Sequence, residues 1–280
     1  MKRRRRRKRY LIQFLFTMVL AIISVTTVIG VITASAQMDE QEKTVRTVDK
    51  EREQNQENAA AWATIEAFAK EHNLDPEEWP EELATLLEKN PDAEEFVLQY
   101  PLKKDKDFAI DLSEHKDSLS VPLFFQWDER WGYTTYGANV MGLTGCGPTC
   151  LSMVAMYLLN DTTLTPRYVA DFAQDGNYCV PGSGSAWTLM SEGGEKLGLD
   201  VTELPLDENC IVKNLEMGNP IICIMGPGEF TSSGHFIVLT GVVDGKFTIN
   251  DPNSVSRSGK LWEYEEIEGQ IRNLWACQKK

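Results

Sequence analysis

Polar and apolar residues fall into blocks whose period changes along the chain. Residues 2 to 9 are all Lys or Arg, and the 23 residues from Leu11 to Thr33 carry no charge. That run is rich in Ile, Val, Leu and Phe. At about 1.5 Å per residue, a helix of this length spans a hydrocarbon core of about 30 Å. The pattern predicts a basic cytoplasmic tail over 1–10 and a transmembrane helix over 11–33, with everything after it outside. Ala34-Ser35-Ala36 offers a rival, a small-residue cleavage site, but signal-peptide apolar cores run only about 7–15 residues. The expectation is a single-pass protein of the cell membrane with an extracellular body, secreted if the chain is cut after Ala36.

Residues 34–58 lose the apolar pattern and read as a polar stalk with no recurring face. From 59 to 103 a helical period returns: Ala61, Trp62, Ile65, Phe68 and Ala69 form one stripe. Asp75-Pro76-Glu77-Glu78 opens a second helix by its capping Asp and first-turn Pro, and Asn90-Pro91-Asp92 opens a third. Two or three short helices bury little alone, so this small helical region is expected to pack on a larger domain. Residues 104–119 are polar apart from Phe108, Ile110 and Leu112 and read as a linker.

The main domain is expected over 120–280. An aromatic-rich loop (124–136) precedes an apolar helix from Cys146 to about Leu159, and another helix begins near Pro166. A Gly-rich loop at 181–184 leads to a helix over about 185–197. Strand-like runs follow at 199–203, 220–225, 235–243 and 246–250, with Asp244-Gly245 as a hairpin signal between the last two. Helices first and strands later predict an α+β domain with an antiparallel sheet.

Composition narrows the partners. Without the eight basic residues of the first segment, 20 basic residues face 42 acidic ones, a net charge of −22. So acidic a body repels phosphates, which excludes nucleic acid as a partner. The six cysteines are sparse for a disulfide scaffold, and Cys223 lies in the apolar run Ile221 to Met225. Mostly free thiols are expected.

One of these thiols has the surroundings of a nucleophile. Cys146 stands in Gly145-Cys146-Gly147-Pro148-Thr149-Cys150, at the first turn of the predicted helix. N–H groups and the helix dipole stabilise a thiolate there, and the flanking glycines leave the sulfur uncovered. Cys150, four residues on, shares that helix face and should be packed more deeply. Of the three histidines, His72 and His115 lie outside the main domain. His235, at the mouth of the strand His235 to Val243, is the imidazole available to Cys146. Asp251 closes the following strand. Pairing across the hairpin with numbers summing to about 489 sets it beside 238 and within a few residues of His235, allowing for twist or a bulge. It would fix the imidazole's tautomer and orientation. An oxyanion donor is also needed, and the amide of Gln126, between aromatics in Phe124-Phe125-Gln126-Trp127, can donate without acting as a base. Cysteine, histidine and carboxylate in this order are the parts of a thiol hydrolase. A groove lined by Ser183 to Ser185 and Trp187 is weighed against an ordinary loop and a buried tryptophan, and the residue types favour the latter.

Taken together, Val121-Pro122-Leu123-Phe124-Phe125-Gln126-Trp127, Gly145-Cys146-Gly147-Pro148-Thr149, Gly234-His235-Phe236 and Asn250-Asp251-Pro252 resemble the C39-like peptidase family of exported bacterial proteins, within the papain-like cysteine peptidases. The resemblance covers about 120–277. It implies a papain-like fold, with the nucleophile's helix packed on the sheet that carries His235. It further implies Cys146 as nucleophile, His235 as base, Asp251 as its orienting group and Gln126 in the oxyanion hole, with no cofactor and no metal. The substrate expected is a peptide or protein. A cell-wall amidase or transpeptidase with the same residues, or a binding protein on the same fold, are the alternatives. Relatives fused to an export ATPase cut leader peptides after a double glycine, but no Gly-x-x-x-x-Gly-Lys-Ser/Thr loop is present here. The sequence does not set an oligomeric state.

Overall fold

The computed structural model describes residues 58–280. The predicted basic tail, transmembrane helix and stalk up to residue 57 lie outside the described residues. Within the described residues no helix is long and apolar enough to cross a membrane.

The main sheet is antiparallel and has five strands. In chain order these are β1 (Leu199–Glu203), β2 (Ile221–Met225), β3 (His235–Val243), β4 (Lys246–Asn250) and β5 (Ile271–Lys279), arranged β1-β5-β2-β3-β4. β2 reads Ile-Ile-Cys-Ile-Met and is buried at every position, because both faces of the sheet are covered. Ile222, Ile224, Phe236, Val238 and Trp275 pack towards Cys150 and Leu151 on one face. Ile221, Cys223, Ile237, Leu239 and Ala276 pack with Ile211 and Leu215 on the other.

Helix α1 (Glu81–Lys89) belongs to the small helical region. Helix α2 (Cys146–Leu159) is buried from Gly147 to Met156 and ends at Asn160, whose φ of 53° gives it the left-handed cap that asparagine tolerates. Helix α3 (Pro166–Asp175) is capped by the Thr165 side chain. Helix α4 (Glu208–Glu216), capped by Asp207, carries Ile211 and Leu215 to the far face of the sheet.

Several expectations need correction. The hairpin at Asp244-Gly245 forms, with φ of 52° and 77°, but its register is not constant. Pairs sum to 489 at Gly241↔Thr248, then a bulge at Thr240 shifts the ladder to Leu239↔Ile249 and Val238↔Asn250. Asp251 is thereby carried one residue closer to His235. The helix expected over 185–197 is broken: Trp187–Leu189 is a short 3-10 turn, and only Glu192–Leu197 is α-helical. Gly193 and Gly194 lower its propensity. β5 and α4 were not foreseen, although β5 lies between β1 and β2.

The small helical region packs through Ala61, Ile65, Leu83, Leu87, Phe96 and Val97, and it closes against Tyr133 and Trp127 of the aromatic loop. Residues 61–280 form one compact unit. The expected linker is tethered rather than loose. Leu112 is buried in the main core, and the Asp117 N–H donates to Asn160 Oδ1 at 2.8 Å.

Candidate active site

Cys146 begins α2, and its half-buried thiol opens into a cavity of about 430 Å³. His235 begins β3 and is buried at 7% exposure. The thiol and the imidazole interact, each favouring the charged form of the other. His235 Nε2 meets Asp251 Oδ1 at 2.7 Å, which leaves Nδ1 for the sulfur. Asp251 is fully buried where β4 ends. Its Oδ1 also accepts the Asn253 N–H at 2.8 Å, and its Oδ2 accepts from Arg257 Nε at 2.5 Å.

The charges follow from these contacts. Burial pushes the Cys146 thiol up, yet the His235 hydrogen bond and charge outweigh it, with help from the Phe236 and Gly147 N–H groups, and the thiol sits below its ordinary value. Burial works against an imidazolium at His235, but the Asp251 carboxylate and the Cys146 sulfur together hold its pKa well above the usual range. Burial also disfavours the Asp251 carboxylate, and the His235 and Arg257 charges reverse that effect, leaving it lowered. Both shifts favour a thiolate–imidazolium pair backed by a carboxylate, the form that attacks an electrophilic carbonyl carbon.

Gln126 is 3% exposed. Its backbone N–H donates to Pro252 O at 2.8 Å, and its Nε2 donates to Gly142 O at 2.9 Å. It thus ties the Asp251 loop to the turn just before Cys146. Its Oε1 is buried without a partner. Phe125 and Trp127 stack on one another beside it, their rings 4.6 Å apart. The structure brings Cys146, His235 and Asp251 into one chain of contacts, with Gln126 bonded to the segments that carry the first and the last.

Cys150 is fully buried, and burial together with the Cys146 charge raises its thiol well above the ordinary value. All six cysteines are free thiols. Burial pushes Cys277 up to about 12. Among the described residues no set of His, Cys, Asp and Glu side chains could hold a metal ion.

The Trp187 expectation is overturned. This side chain is 46% exposed and lines the cavity with Cys146, Ser183 and Ser185, held edge-on against the buried Trp275 at 6.1 Å. Sequence reasoning also missed Arg257, whose short helix Val255–Ser258 follows Asp251 too irregularly for any period to announce it.

A profile of the Peptidase_C39 like family matches residues 118–280, the part that holds all four of these residues. The chain belongs to the Peptidase_C39 like family. Two solved structures resemble this family member. One is the peptidase domain of Streptococcus ComA, described as a bi-functional ABC transporter involved in a quorum sensing pathway. It is 18% identical, with 49% of this chain and 93% of that one covered and a TM-score of 0.38. The other is a Bacillus anthracis protein described as a candidate C39-like peptidase, also 18% identical, with 57% and 95% covered and a TM-score of 0.40. No curated protein matches the chain. The helical region before residue 118 stands outside the family match.

Proposed function

We propose that this member of the Peptidase_C39 like family is a cysteine peptidase hydrolysing peptide or amide bonds, anchored by residues 11–33 with its catalytic domain outside the cell. The observation that carries the reading is the unbroken contact chain from Cys146 through His235 to Asp251 at the edge of an open cavity. The Cys146 thiolate attacks the substrate carbonyl. The oxyanion that forms is met by the Cys146 N–H, one of the free donors of a helix start, and by the second Nε2 hydrogen of Gln126. His235 gives its proton to the leaving amine, and Cys146 is left acylated. Water then loses a proton to His235, attacks the thioester and releases the acid.

The test is direct. Purified full-length protein is incubated with a peptide mixture and the products are read by mass spectrometry. Wild type is expected to release fragments and Cys146→Ala none, with the circular dichroism of the two unchanged. Equal fragment patterns would end the peptidase reading. Brief iodoacetamide treatment at pH 6 supplies a second measurement, in which Cys146 is expected to label ahead of the similarly accessible Cys179, whose thiol burial raises. For the anchor, alkaline carbonate washing of membranes is expected to leave the protein in the pellet. Recovery of a soluble product beginning after Ala36 would replace the anchor with a cleaved leader.

A further inference from the structure

The described residues include four arginines, and three of them pair with a carboxylate: Arg130 with Asp128, Arg167 with Asp107 and Arg257 with Asp251. Arg272 does not. It projects from β5, it is exposed, and it lines the same cavity as Cys146 and Trp187. Its hydrogen bonds run from Nη1 to the carbonyl oxygens of Gly269 at 2.9 Å and Ile271 at 3.4 Å. Those contacts hold the guanidinium in the cavity wall, while Nε and Nη2 carry no hydrogen-bond partner among the described residues.

The backbone is shaped to hold it. Gly226, the residue after β2, lies against the Nε–Nη2 side of the guanidinium. A Cβ at that position would stand 2.3 Å from Arg272 Nε and 2.8 Å from Nη2, closer than any real contact. A side chain at this point would push the guanidinium aside. Apart from the Cys146–His235 pair, the other groups around the cavity are uncharged, Trp187, Met225, Phe236 and Ser185 among them. The body beyond the first segment has a net charge of −22, so an anionic substrate meets general repulsion and needs a local cation to be held.

From this we infer that Arg272 forms a carboxylate-binding subsite, so that the cavity selects peptides presenting an acidic side chain or a free C-terminal carboxylate near the bond brought to Cys146. The inference rests on the peptidase reading for the meaning of the cavity. Its test is made on a protein that cannot turn over, so the two fail separately.

Full-length protein carrying Cys146→Ala is titrated with fluorescent peptides in matched pairs. One set exchanges Glu for Gln at each position, and the other exchanges a free C-terminus for an amide. A charge-assisted pair of this kind is worth about ten-fold in affinity. We expect that preference for the carboxylate member of at least one pair, which also tells side chain from terminus. Adding Arg272→Met should bring the ratio to about one, and adding Gly226→Ala should reduce it with the charge retained. Equal binding within every pair, a preference that survives Arg272→Met, or no binding of any carboxylate-bearing peptide would overturn the subsite. None of these results bears on whether wild type cleaves, which the Cys146→Ala comparison decides.

Discussion

Asp251 gives one carboxylate oxygen to His235 and the other to Arg257, in a site closed to water. An amide at that position keeps the shape but not the charge, and the buried imidazolium loses its largest support. Asp251→Asn is therefore expected to lower kcat by about 10³-fold or more, in line with the loss seen when a triad carboxylate is neutralised. The alkaline limb of the pH–rate profile should move to lower pH in the same variant, which a purely structural role would not produce. In wild type the profile should be broad. Activity falls at the acid end as the thiolate takes up a proton, below the ordinary thiol value because the Cys146 pKa is lowered. It falls at the alkaline end as His235 loses the proton owed to the leaving amine, above the ordinary imidazole range because that pKa is raised. A profile following a free thiol near 8.5 would contradict the pair. At this scale, Cys146, His235 and Asp251 were legible because each stands at an element boundary that local pattern marks. Arg257 and Arg272 were not, since a cation's partner, or its lack of one, is set by tertiary contact and leaves no period in the chain.

Among the elements, α2 and three of the strands can be read to the residue, because α2 is apolar throughout and β1, β3 and β4 are bounded by turn signals. β5 escaped notice. It begins Ile-Arg-Asn and ends Gln-Lys, so its polar ends mask the buried centre Leu274 to Cys277. Yet Trp275 is 2% exposed, pairs with Ile222 and Glu203 on its two sides, and supports Trp187 in the cavity wall. Trp275→Ala is expected to cost about 3–5 kcal/mol in urea unfolding, the range for truncating a buried aromatic. A loss under about 1 kcal/mol would mean that β5 is not a packed interior strand of the sheet. The bulge allowed for in this hairpin could not be placed at Thr240. Thr240 Oγ1 lies 2.9 Å from Thr248 Oγ1 and 3.2 Å from Thr248 O, and nothing in an alternating pattern discloses such an extra residue.

At the level of the whole molecule, the helical region outside the family match reaches both ends of the site. The Phe96 ring lies over Gly142, where a Cβ would stand 2.3 Å from its Cζ, and Gly142 O is the acceptor for Gln126. Asn90, 5% exposed, donates to Asn253 in the loop that follows Asp251, and the Asp92 carboxylate accepts the Val255 N–H at 3.2 Å. The helices themselves were legible from their stripes, but not their starts: Asp75 caps only the 3-10 turn Pro76–Glu78, the α-helix begins at Glu81, and Asn90 makes no side-chain cap. Their role as a brace was not legible either, because no single-helix pattern names the surface it will cover. Phe96→Ala is expected to destabilise the fold by about 3–5 kcal/mol. Asn90→Ala, which leaves the half-buried Asn253 carbonyl with only the longer Trp127 Nε1 contact at 3.4 Å, is expected to cost about 1 kcal/mol and to reduce kcat while the thermal transition stays cooperative. Unchanged turnover in both variants, measured well below their melting temperatures, would show that the region only covers the domain.

The position of β5 has a bearing on when the cavity beside Cys146 is completed. Of the five strands it is the last to be made, yet its neighbours on either side, β1 and β2, are joined only through it. A ribosome adding about 5–20 residues per second leaves those partners waiting for it. During that interval the cation at 272 and the wall behind Trp187 do not yet exist, so a nascent chain holds its thiol but not the trough that would feed it. Until that last strand is in place, the sheet stays split into two unpaired parts.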